Sequence, residues 1–230
     1  MSKNSSSPEY TIKRAAQSPS LEEGWDGPSW NKANTIAIKN WYPKNVEHRP
    51  ETEAKVLYDT SGLYVMFRVR DRYVRAVTTD YQGPVCTDSC VEFFVEPREG
   101  KGYFNFEINC IGTLLLCYIE DPTRTADGFV KYTKIPKELG SLVQIRSSLK
   151  GPLSEELTEP TEWTLAYHVP WKVLESYVGP IGDPAGQTWR ANFFKCGDKT
   201  SHPHWGTWSP IGEQLNFHQP RYFKPVFIEP

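Results

Sequence analysis

The 230-residue chain is short of several things, and each shortage removes a class of function. It has no excess of charge of one sign: 26 Lys and Arg stand against 28 Asp and Glu, a formal net charge of −2. A surface that grips phosphates or an anionic bilayer needs a basic stripe, so neither nucleic acid nor a membrane surface is expected as a partner. No apolar run is long enough to span a bilayer. The opening "MSKNSSSPEY" lacks the apolar segment of a signal peptide, so the expectation is a cytoplasmic chain unless a leader has been removed. There are only five cysteines, an odd number with no repeated spacing, which argues against a disulfide framework. Cys110 and Cys117, flanking "IGTLLL", are the one pair a hairpin would bring face to face. Helical periodicity is nearly absent: "PWKVLESYVG" (170–179) is the one good match, with Pro170 placed at a first helical position.

What the chain does have is aromatics, at 13% of residues with 8 Trp and 12 Tyr, and turn formers, with 19 Pro and 16 Gly spread along it. These suit many short strands joined by turns. Alternating segments recur at "YTIKRA", "NTIAIKNW", "AKVLYD", "GLYVMFRVRD", "VEFFVEP", "YFNFEINC", "TLLLCYIE", "LVQIRSSL", "EWTLAYHVP", "TWRANFFKC" and "PVFIE". "TSG" reads as a tight hairpin, with Gly62 available for positive φ. The expected fold is all-β, an antiparallel β-sandwich with one short helix. Residues 1–8 read as a disordered lead-in and 9–230 as a single domain without internal repeats. Residues 120–140 read as a polar excursion and 150–161 as a long surface loop.

The strand in "VCTDSCVEFFVEP" poses the functional question. With period 2, Val91, Phe93 and Val95 share one face, while Cys90, Glu92, Phe94 and Glu96 share the other. In the next strand Asn105, Glu107 and Asn109 lie opposite Phe104, Phe106 and Ile108. Arg190 and Asn192 likewise lie opposite Trp189, Ala191 and Phe193. Carboxylate, amide and guanidinium groups on one face suit the donor and acceptor pattern of sugar hydroxyls, and aromatic rings suit their C–H faces. The plainer alternative is that these residues form the solvated face of a sandwich. Asn and Glu are poor strand formers, which favours a role for them. A buried Glu92 would call for a partner such as Arg68.

The ordered set "TDSCVEFFVEP", "YFNFEINCIGTLL", "WSPI" and "LNFHQPRYF" resembles carbohydrate-binding module family 9-like proteins, a branch of the DOMON-type β-sandwiches. The resemblance runs from about "GWDGPSW" to the C-terminus. It implies a non-catalytic module in which aromatic platforms sandwich a sugar and polar side chains hold its hydroxyls. It places Glu92, Glu107, Asn109 and Asn216 at polar site positions, with Glu107 where some members carry arginine. It also puts Cys86 and His218 where sugar-binding members carry tryptophan, leaving Trp205 and Trp208 in "HWGTWSP" as candidate substitutes. The full candidate set is Glu92, Asn105, Glu107, Asn109, Arg190, Asn192, Trp205, Trp208, Asn216 and His218. The resemblance further allows a structural calcium ion, and a partnership with a separately encoded glycoside hydrolase.

Three rival chemistries stand beside this reading. Glu92 and Glu107 form a possible general acid/base pair of a glycosidase. Cys196, His202, His204 and His218 offer transition-metal donors, without the spacing of a tight ligand signature. Met66, one of two methionines, lies on the polar face of its strand and would be the haem ligand of a DOMON-type redox or transport protein.

Overall fold

The computed structural model describes residues 9–230, so the lead-in expected at 1–8 lies outside the described residues. The strands, numbered in chain order, are β1 (Tyr10–Arg14), β2 (Thr35–Ile38), β3 (Asn40–Tyr42), β4 (Glu51–Tyr58), β5 (Gly62–Asp71), β6 (Val74–Ala76), β7 (Cys90–Glu96) and β8 (Tyr103–Asn109). They continue with β9 (Leu114–Thr125), β10 (Gly128–Lys134), β11 (Gln144–Ser147), β12 (Leu153–Leu157), β13 (Thr161–Pro170), β14 (Thr188–Cys196), β15 (Trp205–Thr207) and β16 (Lys224–Ile228).

Two sheets form the sandwich. One runs β10-β9-β8-β7-β14-β16-β1, and the other runs β1-β4-β5-β13-β11. Strand β1 belongs to both: Tyr10 to Ile12 pair with β16, and Lys13 and Arg14 pair with β4. A strand that changes sheets closes one corner of the sandwich. The pairings of β1 are parallel, and the other ladders are antiparallel. The period-2 pattern explains the packing. Leu63, Val65, Phe67 and Val69 of β5 meet Val91, Phe93 and Val95 of β7 and Phe104, Phe106 and Ile108 of β8 in one core.

The helix Trp171–Val178 falls where the sequence placed it, with Pro170 one residue ahead of the first helical position. A second, short helix covers Lys137–Gly140. Other expectations need correction. The 120–140 excursion is largely a hairpin: β9 runs on to Thr125 and returns as β10, because Thr, Phe, Val and Tyr in "GFVKYTK" favour strand. The 150–161 loop contains β12, which pairs with β6. Gly62 is not in the left-handed region; a Cβ there would sit 2.1 Å from the Val169 carbonyl oxygen, so close approach of β13 requires the glycine. The "TSG" turn is closed by Asp59, whose Oδ1 accepts from the Ser61 amide at 2.7 Å. All five cysteines are free thiols.

Candidate functional site

Strand β7 lies between β8 and β14, and register fixes what shares its outer face. Cys90 is paired with Asn109 and Cys196, Glu92 with Glu107 and Phe194, and Phe94 with Asn105 and Asn192. Directly opposed residues project to the same side of a sheet. The two glutamates are therefore neighbours on one floor. Above them opens a cavity of about 470 Å³, lined by Glu92, Glu107, Cys86, Cys196, Asp198 and Trp205, by residues 214–218, and by Arg124 from the β9–β10 hairpin.

The floor is buried: Glu92 is 2% and Glu107 6% exposed. Glu92 Oε1 accepts the Cys196 thiol at 3.2 Å. Glu107 Oε1 accepts from Asn105 Nδ2 at 2.7 Å, while Asn105 Oδ1 accepts from the Cys117 amide at 2.7 Å. Asn105 thus holds Glu107 in place from behind. Burial raises the pKa of both glutamates, and the charge of Glu107 raises that of Glu92 further; Glu107 is pushed up to about 7. Such a pair shares a proton near neutrality.

The walls are equally anchored. Trp205 Nε1 donates to Asp198 Oδ1 at 2.7 Å, which fixes the indole plane beside the floor. Burial raises the pKa of Asp198 too. His218 Nδ1 lies 2.9 Å from the Tyr103 hydroxyl, and its Nε2 is 3.8 Å from Glu107 Oε1. Burial, with help from Arg124, pulls His218 down to about 3, so it is a neutral ring at physiological pH. Asn216 Oδ1 accepts the His218 amide at 3.0 Å and shapes the turn that delivers the ring. Phe217 stacks on Phe194, centroids 4.3 Å apart, and pins the same loop to β14. The cavity therefore combines carboxyl acceptors, one guanidinium, two amides and an anchored indole.

The structure brings together Glu92, Glu107, Trp205, Asn216 and His218, with Asn105 in support. Four of the sequence candidates lie elsewhere. Asn109 is consumed by structure: its Nδ2 donates to Thr78 O at 2.9 Å and Asp88 Oδ2 at 3.0 Å, and its Oδ1 accepts the Thr113 amide. Arg190 pairs with Glu96 at 3.2 Å and donates to the Pro220 carbonyl at 2.9 Å. Asn192 clamps Ser209 through both its O and N–H groups. Trp208 packs on the opposite side, edge-on to Tyr10 and Phe193 in the main core. Sequence reasoning missed Arg124, Asp198 and Phe217. Arg124 sat in the supposed excursion; Asp198, two residues beyond the end of β14, was the one with a signal, being an acidic residue at a strand end.

The rival chemistries find little geometry. Glu92 and Glu107 lie side by side on one floor, whereas a glycosidase pair flanks the scissile bond from two sides. Cys196, His202, His204 and His218 do not converge. His202 stacks on Tyr73 at 3.6 Å, and His204 Nε2 lies 2.6 Å from Lys195 Nζ on the inner side of β14. Two other donor groups do lie close together, His48–Asp71–His204 and Cys90–Glu92–Cys196. In the first, the buried Lys195 ammonium already provides the positive charge, 3.3 Å from Asp71 Oδ2. Met66 fills a small apolar cluster with Trp25, Trp30 and Leu57, on the sheet opposite the one that carries the cavity floor. Arg68 pairs with Glu53 rather than Glu92.

A model of carbohydrate-binding family 9 matches residues 29–228. The chain belongs to carbohydrate-binding family 9. This family 9 chain is also similar to a crystal structure from Bacteroides uniformis ATCC 8492, solved as that of a candidate carbohydrate-binding protein. The two are 31% identical over 95% of this chain and 98% of that one, with a TM-score of 0.80. Two family 9 module structures from Caldicellulosiruptor kristjanssonii, in complex with glucose and with cellotriose, share the fold at 13% and 12% identity. Each aligns over 95% of this chain, and over 95% and 93% of its own, with TM-scores of 0.61 and 0.62. Among curated proteins, none matches the chain. Family 9 members are carbohydrate-binding modules without catalytic activity.

Proposed function

We propose that this chain binds carbohydrate, without turning it over, in the cavity above Glu92 and Glu107. The observation that carries the reading is the pairing of two buried carboxyls with an indole whose orientation is locked by Asp198. Carboxyl oxygens take hydroxyl protons, and an indole takes the C–H face of a pyranose. The altered platform positions fit this arrangement. Cys86 leaves room beside the floor, and His218 closes the far wall as a neutral ring. Family membership and the sugar complexes of the fold relatives support the same conclusion. A binding site with no hydrolytic pair suits a chain that works beside a separately encoded glycoside hydrolase.

A glycan array with the full chain tests the proposal. The expected result is a set of hits sharing one terminal sugar. Glu92→Gln should weaken those hits by about 1–3 kcal/mol, the range for a buried polar group whose hydrogen-bond partner is mismatched, with folding intact. An array without hits, or hits indifferent to Glu92→Gln, would remove the support for this cavity.

A further inference from the structure

The floor of the cavity carries carboxyl groups whose charge, once they ionise, the protein itself leaves unmatched. Glu92 faces it from β7, Glu107 from β8 and Asp198 from the turn after β14. The other titratable groups do not offset them. Cys86 is a thiol held protonated by burial and the neighbouring carboxyls, and Cys196 one held protonated by its contact with Cys90, by burial and by Glu92. His218 stays neutral. Lys195 alternates to the inner side of β14, where Asp71 and His204 engage it. Arg124 is the one cation lining the cavity among the described residues, and it stands exposed at the rim, 4.3 Å over the Phe129 ring. Neither Glu92 nor Glu107 has a lysine or arginine within ion-pair distance among the described residues. Only Oε1 of each is hydrogen-bonded to protein; both Oε2 atoms are left to the cavity.

Two free oxygens on adjacent buried carboxyls define a ligand group. A neutral hydroxyl fills one of them and gives the pair no reason to release its proton. An ammonium brings three N–H donors and the missing positive charge together. A carboxylate-bearing sugar is repelled. We propose that the preferred ligand of this cavity is an amino sugar, bound with its protonated amino group on Glu92 and Glu107. The inference rests on the carbohydrate reading above and narrows it. Binding displaces the proton that the two carboxyls share, so affinity for the ammonium rises as pH increases from 5 to 7.

The test is titration calorimetry of the full chain with glucosamine, glucose, N-acetylglucosamine and glucuronic acid, and with their galacto counterparts. The expected result at pH 7 is at least tenfold tighter binding of the amino sugar than of the neutral hexose and N-acetyl sugar of the same configuration, with no binding of the uronic acid. In Glu107→Gln and in Glu92→Gln the amino-to-hexose ratio should fall towards one. The wild-type amino sugar affinity should rise between pH 5 and 7 while that of the hexose stays level, a readout that needs no variant. Hexose or uronic acid binding as tightly as the amino sugar, or an amino sugar affinity indifferent to pH, overturns this inference and leaves the carbohydrate reading standing. Failure of every sugar here, together with an array without hits, overturns both.

Discussion

Replacing Glu107 with glutamine should make the protein more stable at pH 8 and leave it unchanged at pH 4.5. The side chain is 6% exposed and pushed up from an ordinary value of 4.5 to about 7, chiefly by burial. Between those two pH values the native state holds a proton that the unfolded chain has released. Native stability therefore falls as pH rises through this window, at up to ~1.4 kcal/mol per pH unit. Over the window the ceiling is about 3 kcal/mol, reduced because the proton is shared with Glu92 and because the cavity admits water. A gain of about 1–3 kcal/mol at pH 8 is expected for Glu107→Gln. Glutamine keeps an oxygen for Asn105 Nδ2 and adds N–H donors toward Glu92, so little else changes. The assay is urea unfolding of both proteins at pH 4.5 and 8. His204 and His218, each pulled down to about 3, destabilise the native state as pH falls below 6.5, but they do so in both proteins and largely cancel in the difference. A variant that is less stable than wild type at pH 8, or that shows the same difference at both pH values, would refute the reasoning.

Other consequences follow from the same geometry. Lys195→Met leaves Asp71 buried without its ammonium, so urea unfolding at pH 7 should show a loss of about 3–5 kcal/mol, partly restored by adding Asp71→Asn; an unchanged midpoint would contradict this. Asn192→Ala removes both bonds to Ser209, and should cost about 1–3 kcal/mol and loosen the loop that carries Asn216 and His218, seen as faster amide exchange there; unaltered exchange would count against it. Asp198→Ala frees the Trp205 indole and should weaken glycan binding at least tenfold, with circular dichroism unchanged; full affinity would show that the indole needs no anchor.

The sandwich was legible because alternation is a strong signal when one face is apolar: β5, β7 and β8 were read to the correct face, residue by residue. The hairpin β9–β10 was not, because "EDPTRTADGFVKYTK" has no apolar face to reveal its period. In the site, Glu92 and Glu107 were found because a carboxylate in a β-branched and aromatic strand is conspicuous. Asn109, Arg190 and Asn192 carry the same period-2 signal and yet serve structure, since periodicity gives the side of a sheet and not what covers it. Loop 209–223 covers Asn192 and Arg190, while Thr78 and Asp88 cover Asn109. Trp208 and Trp205 differ by three positions, an odd spacing, so the alternation of an extended chain turns them to opposite sides. Arg124 and Asp198 reach the cavity only through tertiary folding, which local pattern does not encode.

The most direct test of the central claim is a crystal structure of the chain with its best-binding glycan. The expected structure has one sugar ring against Trp205, with its polar groups within hydrogen-bond distance of Glu92 and Glu107. A glycan seated on another face, with the cavity above these two carboxyls left to water, would contradict it.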